Sequence, residues 1–163
     1  MAARRESGFT YLTLLFVIAF MGIGLALTGE VWRTAAQRDK EAQLLYAGSQ
    51  YRRAIERYYA SGLRQYPRTL EDLLKDPRKP NTERYLRRLY FDPMTGSPEW
   101  GIVKGPDGGI MGVYSLSEAK PMKTSGFDVR NKAFESAEKY ADWKFVYQPL
   151  AQQSPLAPPQ PAR

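Results

Sequence analysis

Hydrophobic residues are unevenly distributed along the chain, with one long apolar run close to the N-terminus. Residues 12–27 are apolar except for Thr13, Gly22 and Gly24. With residues 9–11 included, the run has 19 residues and no charge, close to the roughly 20 residues with which a helix crosses a bilayer core. The run therefore predicts an apolar helix of membrane-spanning length.

The helical pattern continues beyond the apolar run but becomes amphipathic. Apolar residues recur at steps of three and four, as on one face of an α-helix: Leu44, Ala47, Tyr51, Ile55 and Tyr58. Charged residues are expected on the remaining faces: Arg38, Lys40, Glu41, Arg52, Arg53 and Glu56. Gly62 favours helix termination, and Arg57 suits the negative end of the helix dipole. One helix over about residues 10–60 would be near 75 Å long.

Short elements are predicted after Gly62. The stretch "YPRTLEDLLKDP" predicts a short helix that begins at an N-cap, Thr69, with Asp72 three residues later, and ends at Pro77. The stretch "TERYLRRLYFDPMTG" is compatible with another helical turn before a turn at Asp92.

The last part of the chain predicts a small antiparallel sheet. A strand around Trp100 and Ile102 is followed by "GPDGG" at 105–109, typical of a hairpin turn, and by a return strand over 110–116. A third strand is predicted in "DWKFVYQP". The long connection between residues 117 and 142 is expected to be held by packing of Phe127 and Phe134. These elements predict an α+β fold, a long N-terminal helix packed on a three- to four-stranded antiparallel sheet.

The same patterns divide the chain into segments. We expect a basic leader, an apolar helix, its amphipathic continuation, an α+β domain and a proline-rich disordered tail. The corresponding ranges are 1–8, 9–28, 29–62, 63–148 and 149–163.

Composition restricts the chemistry that this chain can perform. It contains no cysteine and no histidine, which excludes disulfides, thiolate metal sites, and catalytic arrangements that need a histidine base. The formal net charge is +7, a mild bias towards anionic partners. We assign no catalytic residue and expect a protein that is not an enzyme. A carboxylate enzyme anchored by an ordinary signal stays open in principle, but no spacing of Asp or Glu indicates one.

Three interpretations compete for the apolar run. A cleaved secretion signal has an apolar core of roughly 7–15 residues, shorter than this one, and "ALTGE" is a weak cleavage site. A simple signal anchor is the second interpretation. In the third interpretation, cleavage removes only the short leader before the apolar run, and the apolar run stays in the mature protein. Arg4 and Arg5 precede the run, so its N-terminal end is expected to stay cytoplasmic.

The third interpretation follows from a resemblance. The stretch "RRESGFTYLTLLF" resembles the leader and mature N-terminus of type IV pilins and type II secretion pseudopilins. The resemblance implies cleavage by a prepilin peptidase between Gly8 and Phe9, and N-methylation of Phe9. It also implies that the apolar helix is first anchored in the bacterial inner membrane and then packs at the centre of a filament.

One position departs from that family. Most members have glutamate at the fifth mature residue, which is Thr13 here. In the family the glutamate is thought to pair with the amino terminus of a neighbouring subunit and so to set the assembly register. Thr13 can donate its hydroxyl to a backbone carbonyl one turn earlier but cannot neutralise an amine. This difference favours a minor or tip subunit.

Resemblance to the major pseudopilin extends over most of the chain. The stretches "YPRTLEDLL", "RYLRRLYFDPMTG" and "GVYSLSE" occur in the same order as in that family. The family usually has a calcium site after the last of these, built from oxygen ligands. Glu118 and Asp128 are weak candidates here, and we assign no metal ligand and no cofactor.

We therefore expect a structural subunit of a type II secretion or type IV pilus filament, and a role in protein transport. Its implied partners are other pseudopilins or pilins, the prepilin peptidase and an inner-membrane assembly platform. Its implied localisation is single-pass in the inner membrane, with the C-terminal domain in the periplasm. The alternative is a pilin-like protein that binds DNA or another anion through Arg52, Arg53 and Arg57.

Overall fold

The structure, a computed structural model, describes residues 7–149, with the backbone alone for residues 7, 8 and 23–31. The chain divides into two units, the first ending at Asp39 and the second beginning at Lys40. The basic leader up to residue 6 and the proline-rich tail from residue 150 lie outside the described residues.

Helix α1 spans Ser7–Ala60, 54 residues without a break. No proline occurs within it, and Arg57 lies in its last turn, where a cation interacts favourably with the helix dipole. The Ser61 amide donates to the Arg57 carbonyl at 2.9 Å, and the Ser61 hydroxyl donates to the Tyr58 carbonyl at 3.0 Å. The predicted helix and its end before Gly62 are confirmed.

The C-terminal part of α1 packs on the rest of the second unit with the face that the periodicity predicts. The five residues of the predicted stripe are buried: Leu44, Ala47, Tyr51, Ile55 and Tyr58. Glu41 and Arg52 are also buried, so the prediction that both belong to the polar face is wrong. Each has hydrogen-bond partners from the long connection, which reduces the cost of its burial.

The sheet has three antiparallel strands in the order β1–β2–β3, with the bounds Gly101–Lys104, Ile110–Tyr114 and Phe145–Val146. The predicted turn joins β1 to β2: the Gly105 amide donates to the Gly109 carbonyl at 2.8 Å, and Gly108 has a φ of 77°. The long helix and the small antiparallel sheet together make the fold α+β, as predicted.

Close packing of α1 against β3 depends on one glycine. A Cβ atom at Gly48 would lie 2.3 Å from the Phe145 ring, well inside van der Waals contact. The Phe145 ring also meets the Phe134 ring edge to face at 5.2 Å, and Phe134 stacks on Trp143 at 5.5 Å. Phe127 joins the same cluster, which confirms the predicted packing of the long connection.

The remaining helical segments are 3-10 turns, shorter than expected, with the bounds Glu71–Leu73, Val129–Ser136 and Tyr140–Asp142. The helix predicted from Thr69 is therefore wrong in type and length. The Asp72 carboxylate accepts from the Thr69 amide at 3.0 Å, but no Thr69 side-chain cap forms, so only half of the capping box exists. The helical turn predicted within residues 82–96 does not form.

A buried carboxylate holds the segment that follows α1. Asp76 accepts from the amide, Nε and Nη2 of Arg78 at 2.8–2.9 Å and from the Tyr85 hydroxyl at 2.9 Å. The Arg78 guanidinium also lies 3.6 Å from the centroid of the Tyr58 ring and donates to the Tyr58 carbonyl at 3.0 Å. The hydrogen bond from Arg78 lowers the pKa of Asp76 to about 2.

The predicted localisation, a single pass through the inner membrane, is wrong. No helix in the described part of the chain has an apolar stretch long enough to cross a bilayer.

Candidate functional site

The first candidate site is the N-terminal segment of α1, residues 9–22. Its side chains are exposed on every side of the helix, with 76% of the Phe9 surface and 71% of the Phe20 surface accessible. The other large apolar residues exposed there are Tyr11, Leu12, Leu14, Leu15, Phe16, Val17, Ile18 and Met21. A contiguous apolar surface of this extent is typical of an interaction site.

The predicted processing site lies at the start of this helix. Gly8 and Phe9 are both within α1, which begins at Ser7. Thr13 has its hydroxyl turned towards the helix itself, donating to the Phe9 carbonyl at 2.8 Å. This hydrogen bond confirms the predicted local role of Thr13; its role in assembly register stays a prediction.

The second candidate site is a cleft lined by α1 and by the connection that contains the second 3-10 helix. Its volume is about 660 Å³. The lining residues are Ser49, Arg52, Arg53, Glu56, Arg57, Ala60, Asp128, Arg130 and Asn131. The structure thus brings together the three arginines of the predicted anion site and adds Arg130, 73 or more positions later in the sequence. We call this the arginine cleft.

Arg52 differs from the other arginines of the cleft because it is buried, with 8% of its surface exposed. Its Nη2 donates to Asn131 Oδ1 at 2.7 Å, and its Cζ lies 5.5 Å from the centroid of the Phe145 ring. Its Nε has no hydrogen-bond partner in the described residues. Burial lowers the pKa of Arg52, and repulsion from Arg130 lowers it further.

The tyrosines near the cleft are not exposed in a way that would let nucleic-acid bases stack on them. Tyr51 and Tyr58 are both buried in the core, which confirms that they pack against the domain. Tyr59 is partly buried and contacts Tyr66 and Tyr147. The cleft therefore presents charge without an aromatic platform.

A third group of contacts fixes the long connection to α1. Glu41, only 4% exposed, accepts through Oε1 from the Met122 amide at 2.6 Å and the Lys123 amide at 3.2 Å. The Tyr140 hydroxyl donates to the same oxygen at 2.8 Å. One carboxylate thus ties two separate parts of the connection to the helix.

The two weak calcium candidates have different surroundings. Glu118 forms a salt bridge with Lys139, whereas Asp128 lines the arginine cleft. No group of three or more acidic side chains that could hold a metal ion occurs among the described residues. Asp92 and Asp107 have the turn roles predicted for them: Asp92 accepts from the Met94 amide and Asp107 from the Gly109 amide.

Sequence reasoning missed the buried charges Glu41 and Arg52 and the Asp76–Arg78 pair. For Glu41 a signal was present: it lies three positions before Leu44, so it shares the buried face of the helix. Asp76 had no such signal, because its burial depends on Arg78 and Tyr85 in irregular chain.

Comparisons with known proteins give no match. No protein-family model fits this sequence, and no curated protein or solved structure is significantly similar to it.

Proposed function

We propose that this chain is a pseudopilin-like structural subunit of a filament of the type II secretion or type IV pilus kind. In this proposal the fold is pilin-like, and the N-terminal segment of α1 forms the contacts between subunits. The observation that carries the proposal is an unbroken 54-residue helix whose segment 9–22 is apolar and exposed on all sides.

Burial of that segment by other subunits supplies the energy of assembly. Removal of apolar surface from water is worth about 25 cal/mol per Å², and a helix that is apolar all round cannot be covered by one partner on one face. Packing among several equivalent helices covers every face, as at the centre of a helical filament. The partners in this proposal are further pseudopilin subunits and the assembly platform.

Processing precedes assembly in this proposal. The prepilin peptidase cleaves between Gly8 and Phe9, and Phe9 becomes the N-methylated first residue. Thr13, bonded to the Phe9 carbonyl, supplies no carboxylate for a neighbour's amino terminus. The subunit is therefore a minor or tip component.

Co-expression of the full chain with a prepilin peptidase, followed by intact-mass analysis, tests the proposal. The expected product begins at Phe9 and carries one added methyl group, which makes it about 14 Da heavier than the unmethylated chain. The variant Gly8→Val should stay uncleaved, because the added branched side chain occupies the position next to the scissile bond. The control Gly22→Val should be cleaved normally, since a Cβ at Gly22 meets no atom within 4 Å.

Two results would contradict the proposal. One is an unprocessed full-length chain in the presence of an active peptidase that cleaves a known pseudopilin in the same cells. The other is a product that begins near Glu30, because such a chain lacks the apolar segment and could not assemble through it.

A further inference from the structure

Arg52 has a buried positive charge that Asp128 and Glu56 stabilise only from beyond salt-bridge distance. Only 8% of its surface is exposed, and no carboxylate in the described residues forms a salt bridge with it. Its hydrogen-bond acceptor is the neutral amide oxygen of Asn131, and its Nε is buried without a partner. Buried charges in proteins are normally paired, because removal from water is costly.

The cleft next to Arg52 has the size and the charge of a site for a small dianion. Its volume of about 660 Å³ falls within the roughly 300–1,000 Å³ of typical small-molecule sites. Four guanidinium groups and two carboxylates line it, a surplus of two positive charges. A phosphate monoester has a charge of about −1.5 to −2 at pH 7, which balances that surplus.

We propose that the arginine cleft binds the dianionic phosphate group of a small phosphomonoester. Arg52 is the buried cation of the site, while Arg53, Arg57 and Arg130 are exposed cations around it. Guanidinium groups suit this ligand because their planar N–H fork donates two parallel hydrogen bonds to a phosphate. The inference does not depend on filament assembly, since the whole cleft lies in the second unit.

The surroundings favour a monoester over a strand of nucleic acid. Proteins that bind single strands usually stack successive bases on exposed aromatic rings, and Tyr51 and Tyr58 are buried. A strand also needs an extended groove of one charge, whereas Glu56 and Asp128 interrupt this one.

Calorimetric titration of the full-length chain with O-phosphoserine at low salt tests the inference, with serine as the matched compound that lacks phosphate. Saturable binding of phosphoserine and none of serine is expected. Because the chain has no histidine, affinity that increases between pH 5.5 and 7.5 would follow the second ionisation of the ligand, whose pKa is about 6.

Variants locate the binding. Arg53→Gln and Arg130→Gln should each weaken phosphoserine binding by about tenfold, the usual effect of losing one charged hydrogen bond. Both side chains are exposed, so the fold should be retained, which circular dichroism checks. Arg87→Gln is the control, because it removes an equal charge from an exposed position outside the cleft.

Three outcomes would overturn the inference. The first is the absence of saturable phosphoserine binding at low salt. The second is an equal loss of affinity in Arg87→Gln and Arg53→Gln, which would indicate general charge attraction. The third is competition by an oligonucleotide without a terminal phosphate that is as strong as that of phosphoserine, which would assign the site to phosphodiesters.

Discussion

The hydroxyl of Tyr140 donates to Oε1 of Glu41 at 2.8 Å, across 99 positions of sequence. The same oxygen accepts from the Met122 and Lys123 amides. A single buried carboxylate on α1 thus joins two separate parts of the long connection to the helix, beside the aromatic cluster and the Arg52–Asn131 hydrogen bond.

Replacement of Glu41 should destabilise the second unit. Glu41→Ala leaves the buried Tyr140 hydroxyl without its acceptor at a cost of about 1–3 kcal/mol, whereas the Met122 and Lys123 amides are partly exposed and can turn to water. We expect a loss of about 3 kcal/mol in the free energy of unfolding, measured by urea denaturation. Tyr140→Phe should cost about 1–2 kcal/mol.

The control for this prediction is Glu135→Ala, an exposed glutamate of the same connection, which should change stability by less than about 0.5 kcal/mol. Hydrogen exchange adds a local measurement. The Met122 amide should exchange faster in Glu41→Ala, and unchanged exchange there would show that the carboxylate does not hold this part of the connection.

Acid should weaken the Asp76 network. The pKa of Asp76 is lowered to about 2 in the folded protein, against about 3.9 in an unfolded chain. Its stabilisation is therefore present above about pH 4 and is lost as pH falls towards 2. Asp76→Asn should cost about 1–2 kcal/mol at neutral pH, allowing for the partial solvent exposure of Arg78.

The measurement is urea denaturation from pH 2.5 to 7 for the native chain and Asp76→Asn. The difference in stability between them should shrink as the pH falls. A matched exposed carboxylate, Glu99→Gln, should follow the native curve; a constant difference for Asp76→Asn would refute the linkage.

Alkali should weaken the contact between Tyr51 and Tyr90. The Tyr51 hydroxyl accepts from the Tyr90 amide at 2.9 Å and donates to the Tyr90 carbonyl at 3.2 Å. Burial raises the pKa of Tyr51 to about 12. Because the folded pKa exceeds the unfolded value near 10, stability is present below pH 10 and is lost as pH approaches 12.

Comparison of the native chain with Tyr51→Phe checks this. The substitution should lower the free energy of unfolding by about 1–2 kcal/mol at pH 7. Between pH 10 and 11.5 the variant should lose less stability than the native chain does. Tyr11→Phe serves as the control, since Tyr11 is exposed in the first unit. Identical alkaline slopes in all three proteins would be inconsistent with the assignment to Tyr51.

A methyl group at Gly48 should separate α1 from β3. Gly48→Ala places a Cβ 2.3 Å from the Phe145 ring, and overpacking of this kind costs about 1–3 kcal/mol. Gly22→Ala should cause no loss of stability, because a Cβ at this position of the same helix meets no atom within 4 Å. The thermal midpoint of the second unit and the near-ultraviolet circular dichroism of its aromatic side chains report the change.

A carboxylate at position 13 should alter assembly, if the proposed filament function holds. Thr13→Glu restores the acidic group that can pair with a neighbour's amino terminus, and an unpaired charge among apolar helices is costly. We expect greater incorporation of this variant into filaments, measured by quantitative immunoblotting of sheared filaments. Thr13→Gln, which has similar size and no charge, should give no increase.

Local patterns predicted the parts of the fold that depend on local forces. The steps from Leu44 to Tyr58 identified the buried face of α1, because apolar burial follows helix periodicity. The hairpin was predictable because Gly108 supplies the positive φ that its turn requires. The apolar character of residues 9–22 was also evident from sequence, whereas their exposure on every side of the helix is a finding of the structure.

Long-range contacts explain what sequence reasoning did not find. Arg52 reaches Asn131 across 79 positions, and no local pattern relates the two. The third strand was predicted within "DWKFVYQP", but the sequence did not show that only Phe145 and Val146 would pair, opposite Val113 and Gly112 of β2. The 3-10 turn at Glu71–Leu73 forms where propensity favoured a longer helix, and the Leu73 carbonyl accepts from the distant Tyr85 and Leu86 amides.

The two-residue strand β3 also constrains the order of synthesis and folding. Phe145, which lies against Gly48 and Phe134, is among the last described residues to leave the ribosome. Until then the buried stripe of α1 lacks part of its cover, although α1 can form locally as soon as it emerges. The nascent chain therefore exposes two apolar surfaces in succession, segment 9–22 and then the stripe of α1, and the core around the stripe is complete only when Phe145 has emerged.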